Sequence, residues 1–103
     1  MRVKIPKQLR SGLLVYGVEI NDNLHWEANL QGLCNHRTKI IEIDPRSPFL
    51  DETLIHEKLE QINEAYGLEM EHQLLNQLGF AIAEFIYHDL GLEFDWQDIK
   101  KDE

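Results

Sequence analysis

The chain has 103 residues, 43% of them hydrophobic, a formal net charge of −9 and a single cysteine. That is apolar material for one core but not two, no apolar run approaches the ~18–20 residues of a membrane span, and a lone thiol closes no internal disulfide. Residues 1–10 carry four bases and no acid, so all 19 acids fall in the rest of the chain; such a balance argues against nucleic-acid binding through clustered Lys and Arg.

The opening MRVKIPKQLR lacks the apolar stretch of a signal peptide, and with Cys34 alone this points to a cytoplasmic protein with a reduced thiol. Val3–Pro6 reads as a short extended segment, with Pro6 suited to an edge. Leu13–Ile20 (LLVYGVEI) is rich in β-formers and reads as a strand, ended by the turn Asn21-Asp22-Asn23. Leu24–Leu30 offers a further short strand. Gly32–Thr38 leads into Lys39–Asp44 (KIIEID), the clearest strand pattern, which Asp44-Pro45 closes.

The hydrophobic period then changes from two to about 3.6. Ser47-Pro48 suits a helix entry, serine as N-cap and proline in first position, with Asp51 and Glu52 favouring the early turn. Leu54, Ile55, Leu59, Ile62, Ala65 and Tyr66 follow, and Gly67 provides a C-cap. A second helix is predicted from about Glu69 to about Leu90, ended by Gly91. Its broad apolar face (Leu74, Leu75, Leu78, Ala81, Ile82, Phe85, Ile86) suggests deep burial, or burial on two sides, and leaves a homodimer open. Gly79 within it points to close approach of another element. The tail Leu92, Phe94, Trp96, Ile99 is expected to cover the second side of that helix, and Lys100–Glu103 to fray. The expected fold class is α+β: a small, mostly antiparallel sheet followed by two packed helices. One domain spans 1–103, β-rich over 1–46 and helical over 47–91, with a tail over 92–103.

The first helix contains Leu54-Ile55-His56-Glu57-Lys58-Leu59-Glu60. An HExxH helix binds zinc because positions i and i+4 share a face, so two imidazoles reach one metal while the glutamate serves its water as general base. Here Glu60 stands where the second histidine would be. Without metal, His56 beside carboxylates is expected to have a raised pKa, and Glu57 to be an ordinary solvated acid. Cys34, His25, His36, His88, Trp26 and Trp96 read as structural or surface residues.

With Gly32-Leu33-Cys34-Asn35-His36-Arg37, Lys39-Ile40-Ile41-Glu42-Ile43-Asp44-Pro45, Glu52-Thr53-Leu54-Ile55-His56-Glu57 and Tyr66-Gly67-Leu68, the chain resembles the small phage and prophage HExxH metallopeptidase-like proteins. These are relatives of the SprT-like and ImmA/IrrE groups. The resemblance implies a zincin-type fold with an edge strand beside the active helix, zinc, and a third, glutamate ligand on the next helix. By spacing from Tyr66-Gly67-Leu68 that position is Asn76. The implied set becomes His56, Glu60 and Asn76, with an amide in place of a carboxylate and one imidazole lost. His72, four residues before Asn76, shares its face. It either restores a permuted set of His56, Glu60 and His72 or is a surface residue.

The sequence therefore reads as a metallopeptidase scaffold with a degenerate site, inactive and serving as a binding module for a protein or peptide. The alternative is an active metal-dependent peptidase with Glu57 as base and Lys39–Ile43 pairing with an extended substrate. A tight cluster of His56, Glu60 and His72 or Asn76 would favour the alternative. A third reading, an acidic mimic of nucleic acid, finds no face of regularly spaced acids.

Overall fold

The computed structural model describes residues 1–24 and 31–101, the last two by their backbone alone. Strands β1 (Arg2–Lys4), β2 (Gln8–Ser11), β3 (Leu14–Ile20), β4 (Gly32–Asn35) and β5 (Ile40–Ile43) precede helices α1 (Leu50–Tyr66) and α2 (His72–Glu84). A π-helical turn, Phe85–Asp89, and strands β6 (Glu93–Asp95) and β7 (Lys100–Lys101) follow. The main sheet runs β2-β3-β5-β4, with β7 also on β3, and β1 pairs with β6 in a separate ribbon.

The fold is α+β, with two packed helices as expected, but the sheet is mixed. The hairpins β2–β3 and β4–β5 are antiparallel, whereas β3–β5, β3–β7 and β1–β6 are parallel. Lys39–Ile43 was expected to be an edge. Instead β5 lies between β3 and β4, and the edge next to α1 is β4. The tail also departs from expectation. Lys100–Lys101 is held as a strand against Glu19 and Ile20 instead of fraying, and Ile99 is buried in the sheet-side core. The expected strand over 24–30 lies outside the described residues apart from Leu24, which is buried.

Alternation along β3 and β5 buries Tyr16, Val18, Ile20, Ile41 and Ile43 on one face, and Leu54 of α1 joins them. Each such side chain contributes ~1.5–3 kcal/mol by leaving water. A second cluster joins the helices through Ile55, Leu59, Leu75 and Ala83, and Phe94 packs against both. α1 is fastened to the β2–β3 hairpin by polar groups. Gln61 donates from Nε2 to the carbonyls of Leu9 (2.8 Å) and Leu14 (3.3 Å). Lys58 Nζ donates to the Arg10 carbonyl, Ser11 Oγ and Gln61 Oε1.

The helix ends follow local chemistry. α1 begins at Leu50, two residues later than the proline signal; Ser47 Oγ accepts from the Phe49 amide instead of capping the first turn at Pro48. Gly67 ends α1 in the left-handed conformation (φ 58°). α2 begins at His72 because Glu69 is also left-handed (φ 56°), and Asn63 clamps Met70, accepting from its amide and donating to its carbonyl.

Candidate metal centre

α1 presents His56 and Glu60 toward the start of α2, where His72 occupies the first helical position, while the Glu57 carboxylate lies beside Gly32 of β4. His56 Nε2 and His72 Nδ1 each lie 3.7 Å from Glu60 Oε2. The two imidazoles meet edge to face, with ring centroids 4.8 Å apart. One ligand atom from each of His56, Glu60 and His72 falls within a 4.8 Å span. Zinc bonds of 2.0–2.2 Å in tetrahedral geometry set ligand atoms about 3.3–3.6 Å apart; two separations here are 3.7 Å and the three atoms lie within 4.8 Å, so the cluster would have to draw in around an ion. Two neutral nitrogens and a carboxylate form a recognised donor set for divalent metals.

The electrostatics agree. Burial pushes the His56 pKa below its ordinary value, more strongly than Glu60 raises it. This overturns the expectation of a raised pKa, since desolvation outweighs a carboxylate 3.7 Å away. His56 is thereby kept in the neutral form that ligates. Its Nδ1 is buried without a hydrogen-bond partner; the Leu75 backbone acts weakly to favour charge, but no hydrogen bond forms. Glu57 is not solvated. It is 6% exposed, and burial, with Glu60 nearby, pushes its pKa up to about 8.

His56, Glu57, His72 and Asn76 line one cleft of about 240 Å³, floored by Gly32 of β4 and flanked by Phe49 and Phe80. Gly32 is required by close approach: a Cβ there would fall 2.5 Å from Thr53 Cγ2 and 3.0 Å from Glu57 Oε2. Gly79 is less constrained than its sequence position implied, since an added Cβ would rest 3.7 Å from the His56 backbone, an ordinary contact.

The structure brings the permuted set together, with Asn76 lining the same cleft one helical turn beyond His72. His72 is 70% exposed, so its place over Glu60 depends on the link between the helices. The Asn63–Met70 clamp fixes that link and makes Asn63 a positioning residue that motif reading overlooks. An asparagine four residues before a helix-ending glycine was the available signal.

Elsewhere, Cys34 has its thiol pKa pushed up to about 12, by burial first and then by Glu57, Glu60 and Glu64. The Tyr16 hydroxyl and His36 Nδ1 share a 2.7 Å hydrogen bond, and Trp96 Nε1 donates to Asp51. His25 and Trp26 lie outside the described residues. No helix among the described residues is long and apolar enough to cross a membrane. Compared with models of protein families, with curated proteins and with solved structures, the chain matches none.

Proposed function

We propose that the chain is a zinc-dependent hydrolase of the peptidase type, with His56, Glu60 and His72 as metal ligands and Glu57 as general base. The observation that carries this reading is the convergence of two imidazoles and one carboxylate from two helices, beside a cleft that both imidazoles line. Zinc, when bound, supplies a Lewis acid and acidifies a water molecule.

The chain's own groups supply the rest. Glu57 is adjacent in sequence to His56 and lines the same cleft, and its raised pKa marks a carboxylate that takes up a proton readily. β4 pairs with β5 alone among the described residues, which leaves its outer edge for an extended peptide. Phe49 and Phe80 offer apolar surface for substrate side chains. The lone thiol suits action in the reducing cytoplasm.

A second reading, a binding module on a peptidase scaffold, draws on the same Glu57. A carboxyl titrating near 8 is mostly protonated at neutral pH and is then no base. Zinc content after chelator-free purification separates the two. The hydrolase reading expects about one zinc per chain, lost in His72→Ala, and casein hydrolysis lost in Glu57→Gln with zinc retained. Folded protein that takes up no zinc in calorimetry would sink it.

A further inference from the structure

The cleft beside the metal cluster has a second end, away from the three ligands. Its walls are two helical stripes: Phe49, Glu52 and His56 at the start of α1, and His72, Asn76 and Phe80 at four-residue spacing on α2. His72 stands at Glu60, whereas Gly79 lies against the His56 backbone, so α2 runs back along α1. Phe80, next to Gly79, therefore belongs to the end where α1 begins, with Phe49 and Glu52.

The chemistry of that end is specific. Phe49 and Phe80 are 52% and 59% exposed, so two aromatic rings stand open to solvent. Glu52 makes no hydrogen bond or ion pair among the described residues. The lining holds no lysine or arginine, and its other carboxyl, that of Glu57, is buried. An open carboxylate beside aromatic faces is a seat for a cation: the rings attract it and the carboxylate accepts its protons. Arginine suits such a seat best, since its planar guanidinium stacks on rings while its N–H fork meets a carboxylate. The cleft, about 240 Å³, is smaller than the ~300–1,000 Å³ of sites that enclose whole small molecules, and has room for one long side chain.

We infer that this end of the cleft is the specificity pocket for an arginine side chain of an extended peptide, with Glu52 as the residue that selects it. That the occupant belongs to a peptide rests on the hydrolase reading; the selection of a guanidinium by Glu52 does not. Glu52 precedes the ligand His56 by one helical turn, about 6 Å. An extended chain advances about 3.3 Å per residue, so the arginine sits about two residues from the bond at the metal.

The test uses the full chain, freed of metal by chelator so that binding is read without turnover. Acetyl-Ala-Ala-X-Ala-Ala-amide, with arginine, citrulline or leucine at X, is titrated in and followed by amide NMR; citrulline has the shape of arginine without its charge. Shifts centred on Phe49, Glu52, Thr53 and Phe80 are expected, with the arginine peptide bound roughly tenfold more tightly than the citrulline peptide. Glu52→Gln, whose amide spectrum also reports that the fold is kept, should bring the two within about threefold. Glu93→Gln, at an exposed acid outside the lining, should leave the preference unchanged. No binding, equal binding of the arginine and citrulline peptides, a preference that survives in Glu52→Gln, or one lost equally in Glu93→Gln would each overturn the inference. A chain that takes up no zinc yet shows the Glu52-dependent preference counts against the hydrolase reading and supports this one; a zinc-loaded chain without the preference does the reverse.

Discussion

Glu57 and Gln61 are both buried polar side chains on α1, four residues apart, and their surroundings treat them in opposite ways. Gln61 is fully buried and satisfied: two hairpin carbonyls accept its amide protons and Lys58 donates to its oxygen. Glu57 is 6% exposed, has no ion-pair partner among the described residues and carries a pKa pushed up to about 8. Its neighbour His56 keeps a buried nitrogen with no partner. A satisfied buried amide holds a fold together. A buried acid without an ion-pair partner beside an unsatisfied imidazole nitrogen costs stability, and such costs gather where a protein binds or reacts.

The largest expected effect breaks the satisfied end. Gln61→Leu removes the donor from two buried carbonyls and should destabilise by about 3 kcal/mol or more in chemical denaturation. A loss under about 1 kcal/mol would mean that the contrast with Glu57 is not real.

The next effect lies at the costly end and depends on pH. The folded-state pKa of Glu57 is raised, so the native chain keeps a proton that the unfolded chain gives up near 4.5. Metal-free protein should therefore lose stability as pH rises from about 4.5 to about 8, by an amount on the order of a few kcal/mol. Glu57→Gln should flatten that slope and raise stability at pH 8. Urea titrations across the range decide it; an unchanged slope in the variant would remove Glu57 as the cause.

Two glycines sharpen the comparison at smaller scale. Gly32→Ala drives a Cβ into Thr53 and toward the Glu57 carboxylate, and should cost about 1–3 kcal/mol. Gly79→Ala meets only ordinary contacts and should be neutral or stabilising by up to about 1 kcal/mol, since alanine is the better helix former. Melting temperatures of the two variants should move in opposite directions or differ clearly in size.

The smallest effect is read at Cys34. Its thiol is held up to about 12 by burial and by the acids of α1, so alkylation should be slow. Zinc at the cluster offsets part of that negative charge and should speed alkylation by roughly two- to tenfold. An unchanged rate in zinc-loaded protein would show that Cys34 does not sense the cluster.

Much of this was legible in sequence, and the reasons are local. KIIEID has the alternation of a buried strand, Gly67 the freedom of a left-handed cap, and His72 the spacing that puts it beside Asn76 on one helix face. What sequence hid depends on partners far along the chain. β2 is polar (Gln-Leu-Arg-Ser) and exists as a strand because β3 pairs with it. The parallel pairings leave no mark in either strand's own pattern. The protonation of Glu57 and His56 was misjudged because burial is a tertiary property, and here it outweighs neighbouring charge. At Ser47-Pro48 the cap signal misled: the N-cap is Phe49, without a side-chain cap hydrogen bond, and the helix begins two residues after Pro48.

The parallel ribbons also govern the order of assembly. Arg2 pairs with Glu93, and Glu19 with Lys100, so both pairings join segments far apart in sequence. Hairpins and the helix pair close short loops and can form early, whereas these ribbons close the longest loops and are expected to form last. Refolding should accordingly show β1 and β7 gaining hydrogen-exchange protection after β3 and β5.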